Sequence, residues 1–197
     1  MEALMQAAET GDLERVRELV LHGQDIHGTD AEGRTVLHEA SYWGHLSIVE
    51  FLLQRGANPN ATSDYGLSPL YSASLAGHAA VVLFLLKHGA NVNFIARSGR
   101  TALSAAISGG QRSVVEVLIQ NGVHFNKRNN HPIFCTPLHE ACSYGHFAIV
   151  KHLVQHGADI SAKSSKNVTP TKVAKYEAKW SPREKRQGCI AVLDYLK

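Results

Sequence analysis

No stretch of this 197-residue chain approaches the roughly 20 consecutive apolar residues that a bilayer-spanning helix requires. A helical membrane protein is therefore not expected. Cysteine is scarce: Cys135, Cys142 and Cys189 are an odd number without the spacing of a disulfide framework. That argues against a secreted disulfide scaffold and for a reducing, intracellular setting, cytoplasmic and/or nuclear. The opening "MEALMQAAETGDLERV" lacks the apolar segment of a secretory signal. There is no glycine-rich phosphate loop, no paired-carboxylate arrangement and no dinucleotide fingerprint, so nucleotide chemistry and general acid–base hydrolysis have no foothold. A strong excess of one charge is missing as well. The net charge is only +3, and nine Lys/Arg against three Asp/Glu in residues 163–197 leave the rest slightly acidic. The basic charge belongs to the tail, where a solvated end cap competes with an acidic or nucleic-acid partner. The run reads as lacking aromatic interleaving, which speaks against nucleic acid.

What is present begins with 44% hydrophobic and 19% charged residues, the composition of a folded chain. Residues 136–146, "TPLHEACSYGH", then gather two histidines, a glutamate and a cysteine. A zinc-protease motif sets its histidines four apart on one helical face, whereas His139 and His146 are seven apart with Gly145 between them. A four-ligand site of Cys135, His139, Cys142 and His146 has more plausible spacing. A Cys142–His139 nucleophile pair would need an accessible thiol in an electropositive setting and a third, orienting group.

A second copy of the stretch weakens every reactive reading. Residues 35–45, "TVLHEASYWGH", match it at seven of eleven positions, with Arg34 and Ser41 where the later copy has Cys135 and Cys142. Weaker copies start at Ser68, Thr101 and Thr169, so successive spacings are 33, 33, 35 and 33 residues. Fixed periodicity of this length marks a stacked repeat. In the second unit Thr35 starts a helix that Gly44 ends, and a second helix carries Ile48, Val49, Leu52 and Leu53 in one stripe before Gly56. The stripe recurs as Val81, Val82, Leu85 and Leu86, as Val114, Val115, Leu118 and Ile119, and as Ile149, Val150, Leu153 and Val154. "GANPN", "GANVN" and "GADIS" then lead into turn-forming loops.

A turn glycine, T-P-L-H-x-A, G-H, an aliphatic stripe and G-A-x-x-N in this order closely resemble the ankyrin repeat family. The resemblance implies an all-α solenoid of helix-turn-helix units joined by β-hairpin-like loops. Six units follow: an N-terminal cap over about 1–29, then 30–62, 63–95, 96–128 and 129–163, and a C-terminal cap over 164–197. The cap carries an insertion near 178–188, "KWSPREKRQG" within it, through which Pro182 and the charges argue against one continuous helix. Trp180 is expected to dock that insertion onto the last repeat.

The resemblance also implies roles. The T-P-L-H histidines would hydrogen-bond within and between turns, and Cys142 would be buried filler. The chain would be a non-catalytic adaptor, monomeric alone, that binds a protein or peptide in a concave groove, with no cofactor and no metal. The alternative is the recognition domain of a larger protein, such as a degradation adaptor or pathogen effector. Groove positions by family analogy are Tyr42, Trp43, Leu75, Ser143 and Tyr144, with Glu39 and Glu140 placed to accept basic residues of the partner. Tyr65, Arg97 and Arg100 at turn tips, and Ile133 and Phe134 on one enlarged tip, are further candidates. Asn60, Asn93 and Asn126 occupy the position that asparaginyl hydroxylase modifies in some family members, although a structural bridge explains them too.

Overall fold

The structure is a computed structural model that describes residues 1–127 and 135–197, the side chain of Glu184 excepted. Twelve helices lie among them, and none is long and apolar enough to cross a membrane. They run in pairs: α1 (Glu2–Thr10) with α2 (Leu13–Leu21), α3 (Val36–Trp43) with α4 (Leu46–Gln54), and α5 (Pro69–Ala76) with α6 (Ala79–Lys87). Next come α7 (Ala102–Ser108) with α8 (Arg112–Gln120), α9 (Pro137–Tyr144) with α10 (Phe147–Gln155), and α11 (Pro170–Trp180) with α12 (Arg183–Tyr195). Contacts divide the chain into two compact units, Met1–Ala105 and Ala106–Lys197.

Local chemistry sets the helix starts. Ser68, Thr136 and Thr169 are N-caps whose hydroxyls accept from the backbone N–H three residues on, each followed by a proline that needs no donor there. In the stripes the first, second and fifth members are buried, as with Ile48, Val49 and Leu52. The sixth (Leu53, Leu86, Ile119 and Val154) is only half-buried in every repeat. At about 100° per residue it lies roughly 140° from the first, at the stripe's edge. Each fully buried stripe residue contributes about 1.5–3 kcal/mol.

The described loops between helix pairs make one tight turn each. Ser63 N–H donates to Leu67 O at 3.0 Å and Gly66 N–H to Ser63 O at 2.8 Å, and the same pair recurs as Ser164 to Val168 and Asn167 to Ser164. Asn167, at φ 58°, takes the left-handed position that Gly66 holds at φ 72°, a conformation asparagine tolerates better than most residues.

Within Met1–Ala105 consecutive pairs are joined by the histidines that follow α3 and α5. His78 Nε2–H donates to Tyr42 O at 2.9 Å, and His45 Nε2–H to Glu9 O at 2.9 Å. The imidazoles lie so close to the preceding helix-ending glycines that a Cβ on Gly44 would clash with the His78 ring, and one on Gly11 would lie 2.5 Å from His45 Cε1. In the second unit His146 approaches Gly110 in the same way, at 3.1 Å from its would-be Cβ.

The C-terminal pair departs from this pattern. The insertion lengthens both helices, and the chain breaks only at Ser181–Pro182, where Ser181 is extended at ψ 160°. No histidine seats on Gly145; α12 itself does, with Lys185 O 2.9 Å and Cys189 Sγ 3.0 Å from its would-be Cβ. Gly188 permits the approach, since any side chain there would meet the Gly145 backbone. Lys185 Nζ also pairs with Glu177 at 2.7 Å across the break. Trp180 does not dock the insertion: it is 65% exposed.

Candidate functional site

The reactive-looking residues are structural. His139 is fully buried, its Nδ1 2.8 Å from Thr136 Oγ1 and its Nε2–H donating to Val168 O at 3.0 Å in the next turn. His38 repeats this: Nδ1 accepts from Thr35 N–H at 3.1 Å and Nε2–H donates to Leu67 O at 2.9 Å. With Nδ1 accepting and Nε2 donating, neither ring keeps a lone pair for a metal or a substrate proton. Cys142 is fully buried, and burial pushes its thiol up to about 12, the opposite of what a nucleophile needs. Cys189, also buried, lies over it with Sγ 3.8 Å from Cys142 O. Among the described residues no group of three His, Cys, Asp or Glu could hold a metal ion.

Burial also holds the His38, His146 and His152 imidazoles below their ordinary value of 6.5. The unfolded chain takes up protons as pH falls through 6.5 while these folded-state rings resist, so stability present above 6.5 declines below it. The midpoint of thermal unfolding should fall between about pH 7.5 and pH 5.5, and His38→Gln should flatten that slope. A midpoint constant across the window would show that the rings are not neutral by burial.

In the first unit α3 presents the candidate surface. Tyr42 and Trp43 are 43% and 44% exposed, and their rings meet edge to face at 5.5 Å. The indole Nε1–H donates to Glu39 Oε1 at 2.9 Å. Glu39 differs from expectation. It is buried to 9% exposure, and its other oxygen lies 3.3 Å from Arg34 Nη1. The carboxylate is already held by an indole and a guanidinium, so a basic side chain from outside would have to displace Arg34. Leu75, on α5 packed against α3, is half-buried. Tyr65 is 67% exposed and Arg97 exposed on neighbouring turns, while Arg100 Nη1 donates to Tyr71 OH at 3.1 Å.

In the second unit Tyr144 is 41% exposed and stacks on His146 at 5.5 Å. Glu140 beside it is half-buried. Ser143 differs from expectation: it is 7% exposed, because a serine is too short to reach the surface that Tyr42 reaches in the equivalent position. Ile133 and Phe134 lie outside the described residues. Asn60 joins consecutive loops, its Nδ2–H donating to Gly89 O at 2.8 Å and its Oδ1 accepting from Asn91 N–H at 2.8 Å. Asn126 does the same with Gly157 O and Asp159 N–H. Asn93 is half-buried at the equivalent place.

One face escaped the sequence reading. Tyr176, seven residues after Thr169 as Tyr42 is after Thr35, is 65% exposed, as is Trp180 one turn later. On α11 the lysines do interleave with aromatics, contrary to the impression the linear sequence gives.

Comparison with known proteins accords with this architecture. A family model described as ankyrin repeats (3 copies) matches residues 1–63, 60–129 and 94–164. Alpha-latrocrustotoxin-Lt1a of Latrodectus tredecimguttatus is 40% identical over 57 residues, which are 29% of this chain and 4% of the toxin. The putative ankyrin repeat protein RF_p14 of Rickettsia felis is 53% identical over 38 residues, 19% of this chain and 60% of that protein. The chain thus spans less than two thirds of the length of either relative. The crystal structure of the human ASB11 ankyrin repeat domain shares the fold, with a TM-score of 0.75 at 23% identity over 96% of each chain. Ankyrin repeats are generally non-catalytic protein–protein interaction modules. With matching segments over residues 1–164 and the histidine-bridged helix pairs they encode, this chain belongs to the ankyrin repeat family.

Proposed function

We propose that the chain is a non-catalytic adaptor that binds a peptide or a protein surface through the exposed ends of its first helices, with Tyr42 and Trp43 as the principal anchors. The supporting observation is their preparation. Two large aromatic side chains stand more than 40% exposed yet are fixed, Trp43 by Glu39 and each ring by the other. Aromatic anchors that are already immobile lose little entropy on binding and bury much area. Glu39 acts as a positioning residue for Trp43, and partner selection falls to the rings and to Leu75. Tyr144, with Glu140 beside it, is the corresponding anchor of the second unit. A reducing cellular interior suits three buried thiols in no disulfide.

Affinity capture on the full chain, with mass spectrometry of what is retained, tests the reading against a Tyr42→Ala/Trp43→Ala variant. The variant should keep its helical circular dichroism and hold its partner about tenfold to a hundredfold more weakly. Equal retention by both proteins would place the binding surface elsewhere.

A further inference from the structure

The exposed residues of α11 are Lys172, Lys175, Tyr176, Lys179 and Trp180, and its buried ones are Pro170, Val173 and Ala174. At about 100° per residue the exposed set occupies one arc of roughly 140°. The arc is cationic and aromatic together. Lys179 Nζ lies over the Trp180 ring at 4.9 Å from its centroid, and Lys172 Nζ donates only to Asn167 O at 3.4 Å. Glu177, the sole carboxylate of the helix, faces away: it accepts from Lys185 at 2.7 Å and from Ser181 Oγ. Burial pushes the Glu177 carboxyl up, and those two hydrogen bonds more than reverse it, leaving it ionised and neutralised internally. Among the described residues no carboxylate pairs with Lys172, Lys175 or Lys179.

We propose that this face of α11 docks an acidic segment of a partner protein, one whose carboxylates flank an apolar side chain. Three lysines over two helical turns have Cβ atoms about 5–6 Å apart from one to the next, and beside them two exposed rings offer apolar area that a purely charged ligand would leave wet. An aromatic side chain buries about 150–250 Å², so the rings decide affinity and the lysines decide sign. Protein is favoured over nucleic acid because three phosphate contacts give only weak binding, and one face of the Trp180 ring is already covered by Lys179. The surface shares no residue with Tyr42 and Trp43, so its failure would leave that reading intact.

Fluorescence anisotropy of a labelled peptide alternating two glutamates with one phenylalanine, titrated with the full chain, tests this. The peptide should bind, and should bind at least tenfold more tightly than its phenylalanine-to-glycine counterpart. Tyr176→Ser/Trp180→Ser should weaken it at least tenfold, and Lys172→Glu/Lys175→Glu/Lys179→Glu should abolish binding, each with native circular dichroism. No binding, equal binding of the phenylalanine-free peptide, or unchanged affinity in both folded variants overturns the proposal. So does tighter binding of a labelled single-stranded oligonucleotide or of vesicles rich in phosphatidylserine.

Discussion

Gly44→Ala should destabilise the protein by about 3 kcal/mol, against about 1 kcal/mol for Gly56→Ala, in parallel chemical denaturation of the two variants. Both glycines are left-handed, Gly44 at φ 81° and Gly56 at φ 88°, so both substitutions incur the backbone strain of an L-residue there. They differ in what the new methyl group meets. Beside Gly56 nothing lies within 4 Å, whereas beside Gly44 it meets the His78 ring. His78 must then swing away and give up its bond to Tyr42 O, which joins one helix pair to the previous one. Because a repeat array is stabilised by nearest-neighbour interfaces, the extra cost falls on the joint. The unfolding transition of Gly44→Ala should also broaden as the pairs on either side uncouple. Equal costs for the two variants would mean that the imidazole relocates freely and that the joint does not depend on it.

His38→Ala should cost a comparable amount, about 3 kcal/mol, in the same assay. The ring is 1% exposed, so its loss leaves a cavity. It also leaves Thr35 N–H and Leu67 O, which lie 32 residues apart on the two turns that the ring spans, without their imidazole partner. Gln in its place retains a donor and an acceptor on a flexible chain and should recover part of the loss. Exchange of the Thr35 amide should accelerate in His38→Ala while amides of α1 and α2 are little changed. A variant as stable as the parent would show that water replaces the ring without penalty, and would reduce the histidine to packing.

The repeat was legible because it states its own evidence several times over. His38 and His139 perform one task from corresponding positions, and the comparison of the two copies, beyond spacing alone, separated that task from metal binding. Residues occurring once were harder. Glu39 and Glu140 look alike in the sequence, but Arg34 has no counterpart in the other copy, where Cys135 stands; the partner that occupies Glu39 was thus invisible to a comparison of copies. Ser143 was assigned to the surface by position, though reach depends on side-chain length as well. The basic tail was read along the chain, where lysines and aromatics look scattered, and only a helical period of 3.6 gathers them on one face. Pro182 suggested interruption, and its φ of −53° indeed suits a helix start, so one proline closes α11 and opens α12. The compensating pair of Gly145 and Gly188, 43 residues apart, could be recognised only in three dimensions.

Three joints between helix pairs consist of a socket, the left-handed glycine ending one first helix, and a plug, the imidazole that follows the next. Gly11 with His45 and Gly44 with His78 are both 34 residues apart, and Gly110 with His146 spans 36. A repeat such as 30–62, with His45 as plug and Gly44 as socket, therefore arrives on duplication already compatible with both neighbours, and its deletion removes one of each. With two extra residues between them, His146 still lies against Gly110, 3.1 Å from its would-be Cβ. Changes in repeat number can accordingly accumulate without simultaneous repair elsewhere, leaving selection free to act on the exposed rings.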